Sequence, residues 1–157
     1  MTKEIIYREI YKGDEEEICR LITDCFSEFV APGYSEEGII EFSKYITPKF
    51  TEYRLMHDHF ILLALDNGMI VGVIEVRNNN HISLFFVKKE YQNKGIGKNL
   101  HELAINKCAI TIPKVPFVDV HSSPYAVPIY EKLGFAKVSD EQIVKGMRFT
   151  PMIFKIV

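Results

Sequence analysis

Residues 83–102 read SLFFVKKEYQNKGIGKNLHE, and the fold turns on them. The apolar run Leu84-Phe85-Phe86-Val87 stops at two lysines and is rich in aromatic and β-branched residues, which predicts a buried strand. Beyond Gly97, the positions Leu100, Leu103, Ala104 and Ile110 fit one face of a helix. The chain therefore runs strand, short basic turn, helix. A helix start presents unpaired N–H groups and the positive end of the dipole, which together make an anion site. Gly95 and Gly97 let a phosphate approach the backbone where a Cβ would stand in the way, and Lys94 and Lys98 add positive charge. The stretch predicts a site for a phosphorylated ligand.

Three phosphate motifs are separable by spacing. A Walker A loop needs a longer glycine loop and Gly-Lys followed by Ser or Thr, and this turn has neither. A dinucleotide fingerprint needs a third glycine three residues after the second, a position held here by Leu100. What remains is Gln92-x-x-Gly95-x-Gly97 behind a strand ending at Val87, with Asn93, Lys94, Ile96 and Lys98 completing the turn.

A chain of 157 residues is read as one domain, 1–157, large enough to bury a substantial core. Net charge is −2 with no basic block, which argues against nucleic acid as a partner. No apolar run approaches membrane-spanning length, and the first ten residues lack the apolar centre of a signal peptide. Cys19, Cys25 and Cys108 are odd in number and lack metal spacing, so reduced buried thiols in a cytoplasmic protein are the expectation.

In chain order, Ile5–Tyr11 predicts a strand. Asp14 is expected to cap the next helix with Glu17 as its capping-box partner, and Pro32-Gly33 to end it. A second helix starts at Ser35 and closes at Pro48, while 49–58 show no clear period. Phe60–Leu65, Met69–Arg77 and Ile82–Val87 form a meander through turns at Asp66-Asn67-Gly68 and Asn78–Asn80. The helix after Gly95 runs to about Ile110, and Phe117–Val120 is the next strand. Strand, helix, strand implies a parallel pair with a right-handed crossover, and its carboxyl end is where ligands bind in open sheets. Ser123-Pro124 starts a last helix that Gly134 ends, and Ile143–Val144 and Met152–Val157 are expected as final strands.

The phosphate turn resembles the pyrophosphate-binding motif of the GNAT superfamily of N-acetyltransferases, whose donor is acetyl-CoA. AVPIYEKLGF, residues 126–135, is similar to that family's second signature, with Ala, Tyr and Leu-Gly-Phe in order. The two motifs span about residues 81–136. The resemblance implies a mixed, mostly antiparallel central sheet of six to seven strands. A parallel central pair would splay to admit the pantetheine arm, and about four helices would flank the sheet. It also implies an N-acetyltransferase moving an acetyl group from acetyl-CoA to a small-molecule or peptide amine in a ternary complex, and leaves a homodimer open. The family's members often carry Asn seven residues before the Tyr; here Ser123 stands there, and its hydroxyl is expected to meet the same arm.

Acetyl transfer needs a neutral amine, donors for the oxyanion and a proton for the departing thiolate. Backbone N–H near Phe85, Phe86 and Val87 is expected to meet the oxyanion. By resemblance, Tyr130 supplies the proton, and a phenol is well matched to a thiolate. The base stays open among Glu75, Asp119, His121 and solvent; Asp119 and His121 share a strand face by two-residue spacing. His57-Asp58-His59 places two histidines on one face, but lacks a third ligand nearby, so no metal is expected. In the family the first helices wall the acceptor site. Glu28, Glu36, Glu37 and Glu41 would then favour a cationic amine. A catalytically silent acyl-CoA-binding module is the alternative, and Tyr130 favours the enzyme, because binding alone needs no proton donor at sulfur.

Overall fold

In this computed structural model, residues 4–111 and 113–156 are described. Strand β1 (Ile5–Glu9) leads to helix α1 (Glu15–Cys25), which passes through a π-helical turn (Phe26–Val30) and a 3₁₀ turn (Ala31–Gly33). Helices α2 (Glu36–Tyr45) and α3 (Pro48–Leu55) follow, then β2 (His59–Asp66), β3 (Met69–Arg77) and β4 (His81–Val87). Helix α4 (Ile96–Ala109) crosses to β5 (Phe117–Ser122). Helix α5 (Val127–Leu133) and strands β6 (Ala136–Lys137), β7 (Gln142–Val144) and β8 (Met147–Lys155) complete the chain.

The strands lie in the order β1-β2-β3-β4-β5-β8-β6, with β7 hairpinned onto β8. Only β4 and β5 are parallel among the described strands. The sheet carries apolar layers on both faces. On one, α4 packs Leu100, Ala104 and Cys108 against Ile74, Val118, Val120 and Met152. On the other, α1 packs Ile18, Leu21 and Ile22 against Ile61, Leu63 and Val73. Central strands buried on both faces explain why β2 and β3 read as near-continuous apolar runs rather than alternating ones. No helix among the described residues is long and apolar enough to cross a membrane.

Several local expectations are corrected. Strand β1 stops at Glu9, because the Tyr11 N–H donates to Asp14 Oδ2 at 2.7 Å and folds the chain into a turn. Asp14 stands at the N-cap of α1 as expected, but its side chain does not cap the helix; it pairs with Arg8 at 2.8 Å. Glu17 does not reach back to the cap but accepts from the Ile70 N–H at 2.7 Å, tying α1 to β3. Pro48 does not merely close α2. It is the first residue of α3, where its missing N–H costs nothing, behind an N-cap Thr47 whose Oγ1 accepts from the Phe50 N–H at 3.1 Å. Strand β8 begins at Met147, five residues before its expected start, since the Lys145-Gly146 turn pairs it with β7; Val157 lies outside the described residues. Strand β7 takes in the expected Ile143–Val144, while the two-residue β6 carries no readable alternation and brings the described strands to eight.

Helix α2 is anchored over the sheet by one close approach. A Cβ at Gly38 would strike the backbone of Gly146, so only glycine lets the start of α2 touch the β7–β8 turn. Ser35 Oγ caps the helix there by accepting from the Gly38 N–H at 3.3 Å.

Candidate active site

Strands β4 and β5 pair only at His81↔Asp119 and Ile82↔Val120. Past Ile82, β4 stays on β3 as far as Val87, while β5 follows β8 through His121↔Pro151 and Ser122↔Thr150. Each strand has its outer edge satisfied, so the inner edges are free to part. A cleft of about 460 Å³ opens between them, roofed by α5 and by the end of α1.

The phosphate turn closes one end of the cleft. Asn93 and Gly95 hold positive φ, 61° and 84°, and Gly95 is the N-cap of α4. The first intrahelical bond of α4 runs from the Asn99 N–H to Gly95 O at 3.0 Å, so the N–H groups of Ile96, Gly97 and Lys98 have no helical partner. Gln92 does not turn outward; its Nε2 donates to the Val87 carbonyl at 3.0 Å and locks the turn to the strand end. Gly95, Gly97 and Lys98 line the cleft. A Cβ on Gly97 would project among Phe85 and Val87, with contacts of 3.7 Å. The side chain of Ile96 packs in the core, and Lys94 lies over the Tyr91 ring at 5.5 Å.

The open edge of β4 supplies the middle of the cleft. The Lys88 N–H donates to Val71 O at 2.9 Å, so the alternation of the ladder turns the N–H groups of Phe85 and Val87 to the unpaired side. Phe85, Phe86 and Val87 line the cleft, as do Ser123 and Tyr130. Tyr130 comes from α5, whose bend back at Gly134 brings Phe135 against the ring at 5.1 Å, with Phe85 at 6.1 Å on another side. Burial pushes its phenol above the ordinary value.

The three base candidates separate in space. Glu75 is 1% exposed and is not among the cleft-lining residues. Arg54 from α3 donates to it at 2.6 and 3.1 Å, and His59 Nδ1 lies 2.8 Å from Oε2. Arg54 also donates to Tyr45 O and lies over that ring at 3.9 Å. Asp119 is bound to His81 Nδ1 at 2.9 Å; burial opposes its ionisation, but the His81 hydrogen bond and charge hold its carboxyl below the ordinary value. His121 lies on the cleft wall, stacked on Phe149 at 4.5 Å and edge-on to His81 at 5.0 Å. Burial, then the nearby His81 charge, lowers its pKa against the opposing pull of Asp119. His57 and His59 face different partners: the first meets Tyr53 O at 2.8 Å, the second Glu75.

Aromatic side chains make up much of the rest of the cleft lining. Phe26 stacks on Phe42 at 3.9 Å with Tyr34 edge-on at 5.5 Å, and Phe29 stacks on Tyr125 at 4.9 Å. The expected acidic wall is elsewhere: Glu28 pairs with Lys89, Glu41 with Lys44, and Glu36 and Glu37 are exposed on the first turn of α2. Phe26 and Phe29 fit a helical core face in the sequence, so their part in the cleft was hidden; a π-helical turn swings them to it. His81 was hidden too, because its neighbours exist only across the β4–β5 pair. Arg54 had one usable signal, the Thr47-Pro48 helix start before it.

The family model for the GNAT acetyltransferase domain matches residues 30–156. Among solved structures, a GCN5-related N-acetyltransferase from Rhodopseudomonas palustris superposes with a TM-score of 0.83 at 18% identity, over 99% of each chain. The PaiA N-acetyltransferase of Thermoplasma acidophilum, solved with coenzyme A, gives 0.82 at 20% identity, over 97% of this chain and 99% of that one. A chimeric spermidine N-acetyltransferase from Vibrio cholerae gives 0.65 at 18%, over 96% and 95%. At these identities the likeness is one of fold; the family model, which takes in the splayed pair, the phosphate turn and Tyr130, carries the assignment, and this chain belongs to the GNAT acetyltransferases, whose acyl donor is acetyl-CoA.

Proposed function

We propose that this chain is an N-acetyltransferase that moves an acetyl group from acetyl-CoA to a primary amine by direct attack in a ternary complex. One observation carries the reading. The free N–H groups of β4, the Tyr130 side chain and the N-terminus of α4 border a single cleft. The cleft fits such a donor: a cradle at Gly97 that a Cβ would narrow, unpaired N–H groups beside it, and Lys98 for charge. Acetyl-CoA, when bound, would supply a thioester carbonyl; overall the exchange breaks the C–S bond and one N–H bond of the neutral amine and makes the amide C–N bond and an S–H bond, with no net release of a proton once solvent returns the amine's proton to the acid.

The chain's own groups then have defined work. Ile96, Gly97 and Lys98 N–H hold the pyrophosphate, and Ser123 meets the pantetheine arm. Phe85 and Val87 N–H lie on the open edge, where negative charge develops on the carbonyl oxygen. Tyr130 gives its proton to the departing sulfur. Burial makes the phenol a weaker acid, but the same apolar surroundings make a thiolate a stronger base, so the transfer stays near balance. His121 takes the amine proton, because it alone of the three candidates lies on the cleft wall. Asp119 and His81 fix the strand face beside it, and Glu75, held by Arg54 and His59, props β3 behind β4.

The test is Tyr130→Phe, which keeps the ring and removes the proton. Turnover of acetyl-CoA with an amine should fall about a hundredfold or more while coenzyme A affinity by calorimetry is retained. Unchanged turnover with chemistry rate-limiting would refute the acid role, and no coenzyme A binding at all would refute the whole reading.

A further inference from the structure

Resting on that acetyl-transfer reading, we propose that the acceptor is a primary alkylamine that bears an aromatic ring and no second charge. Six aromatic side chains, Phe26, Phe29, Tyr34, Phe42, Phe86 and Tyr125, line the same cleft. No Asp or Glu occurs among the described residues lining the cleft. A polyamine brings at least one further ammonium, and burying it without a carboxylate is costly. Of the acidic residues nearby in sequence, Glu28 is held by Lys89 at 2.7 Å and Glu41 by Lys44 at 3.1 Å, while Glu36 and Glu37 are exposed on the first turn of α2, and none of the four lines the cleft.

Aromatic faces also attract cations, so the ring geometry matters. Here the rings are committed to one another. Phe26 and Phe42 lie nearly parallel, 9° apart at 3.9 Å, and Phe29 and Tyr125 lie 21° apart at 4.9 Å. One face of each ring is therefore covered by its partner, which halves what a cation could use. Such a surface instead suits another ring, by edge-to-face or offset contact, together with the apolar area buried. A free carboxylate on the acceptor is disfavoured in turn. The cationic side chains on the cleft are Lys98, at the phosphate turn, and His121, whose lowered pKa leaves it neutral near pH 7.

The Phe29–Tyr125 pair closes the cleft from two sides, since Phe29 leaves the π-helical turn after α1 and Tyr125 precedes α5. It is the contact a ring-bearing acceptor would meet, and Tyr125 is 42% exposed, so it tolerates substitution.

The full chain is assayed with acetyl-CoA and three probes: 2-phenylethylamine, spermidine and L-phenylalanine. Product is identified by mass spectrometry and kcat/KM measured by thiol release. The expected result is kcat/KM for 2-phenylethylamine at least about tenfold above either probe that carries a further charge. Phe29→Ala and Tyr125→Ala should each raise its KM several-fold, leaving coenzyme A affinity by calorimetry unchanged. Preference for spermidine or L-phenylalanine, or a KM unmoved in Tyr125→Ala, overturns this proposal while leaving acetyl transfer standing. Failure to bind coenzyme A brings down the acetyl-transfer reading and the acceptor with it.

Discussion

His101 makes the protein acid-sensitive in a way that one substitution removes. Its ring lies on the buried face of α4 between Phe135 at 5.4 Å and Phe154 at 5.1 Å, and it is 4% exposed. Its Nε2 has no hydrogen-bond partner among the described residues. Burial pushes the imidazole pKa from 6.5 down to about 4. The unfolded chain therefore takes up a proton as pH falls below 6.5, while the folded chain resists until about 4. Stability is full above 6.5 and is lost on acidification through that window. At about 1.4 kcal/mol per pH unit, the loss approaches about 3 kcal/mol across the window and about 2 kcal/mol by pH 5. His101→Leu fills the same aromatic slot without a titrating group or an orphaned nitrogen. Urea unfolding of both proteins at pH 7.5 and pH 5 provides the measurement. The variant should be more stable by about 1 kcal/mol at pH 7.5, since an unmatched buried polar atom costs about that much. The gap should widen by about 2 kcal/mol at pH 5. Other titrating groups cancel in the difference. Stability curves that stay parallel between the two pH values would refute the buried, neutral His101.

Three further outcomes follow from the geometry. Gly97→Ala places a methyl 3.7 Å from Phe85 and Val87 without a strained φ, so coenzyme A affinity should fall while thermal stability holds or rises by up to about 1 kcal/mol; unchanged affinity would move the pyrophosphate elsewhere. Arg54→Met strands the Glu75 carboxylate in a buried site with only His59, and unfolding by urea should show a loss of about 3–5 kcal/mol. A loss below about 1 kcal/mol would refute the buried Arg54–Glu75 pair as a support of the fold. If His121 takes the amine proton, log kcat/KM should climb with a slope near 2 below its pKa, which lies under 6.5, and near 1 above it until the amine is neutral. His121→Ala should leave the slope near 1 throughout, and an unaltered profile would hand the proton to solvent.

The local chemistry of the chain was legible from its residues. The strand-turn-helix at 83–102, the Asn67-Gly68 hairpin, the crossover to β5 and the Gly134 helix end all follow from period, backbone freedom and capping, which act within a few residues. The phosphate turn and the segment 126–135 carried the family resemblance. The tertiary structure decided what depends on residues far apart meeting. It separated Glu75 from the cleft by giving both its oxygens to Arg54 and His59; the first lies on α3, which no period marked, and the second one residue before the expected start of β2. It joined His81 to Asp119 through the short parallel pairing and left His121 on the cleft wall. It set Phe26, still buried, and Phe29 along the cleft as well as against the core, where the helix changes pitch at Phe26. Spacing along a chain fixes which side chains share a face; which face meets another, and which charge finds a counter-charge, is settled only when the packed elements compete for the same buried space.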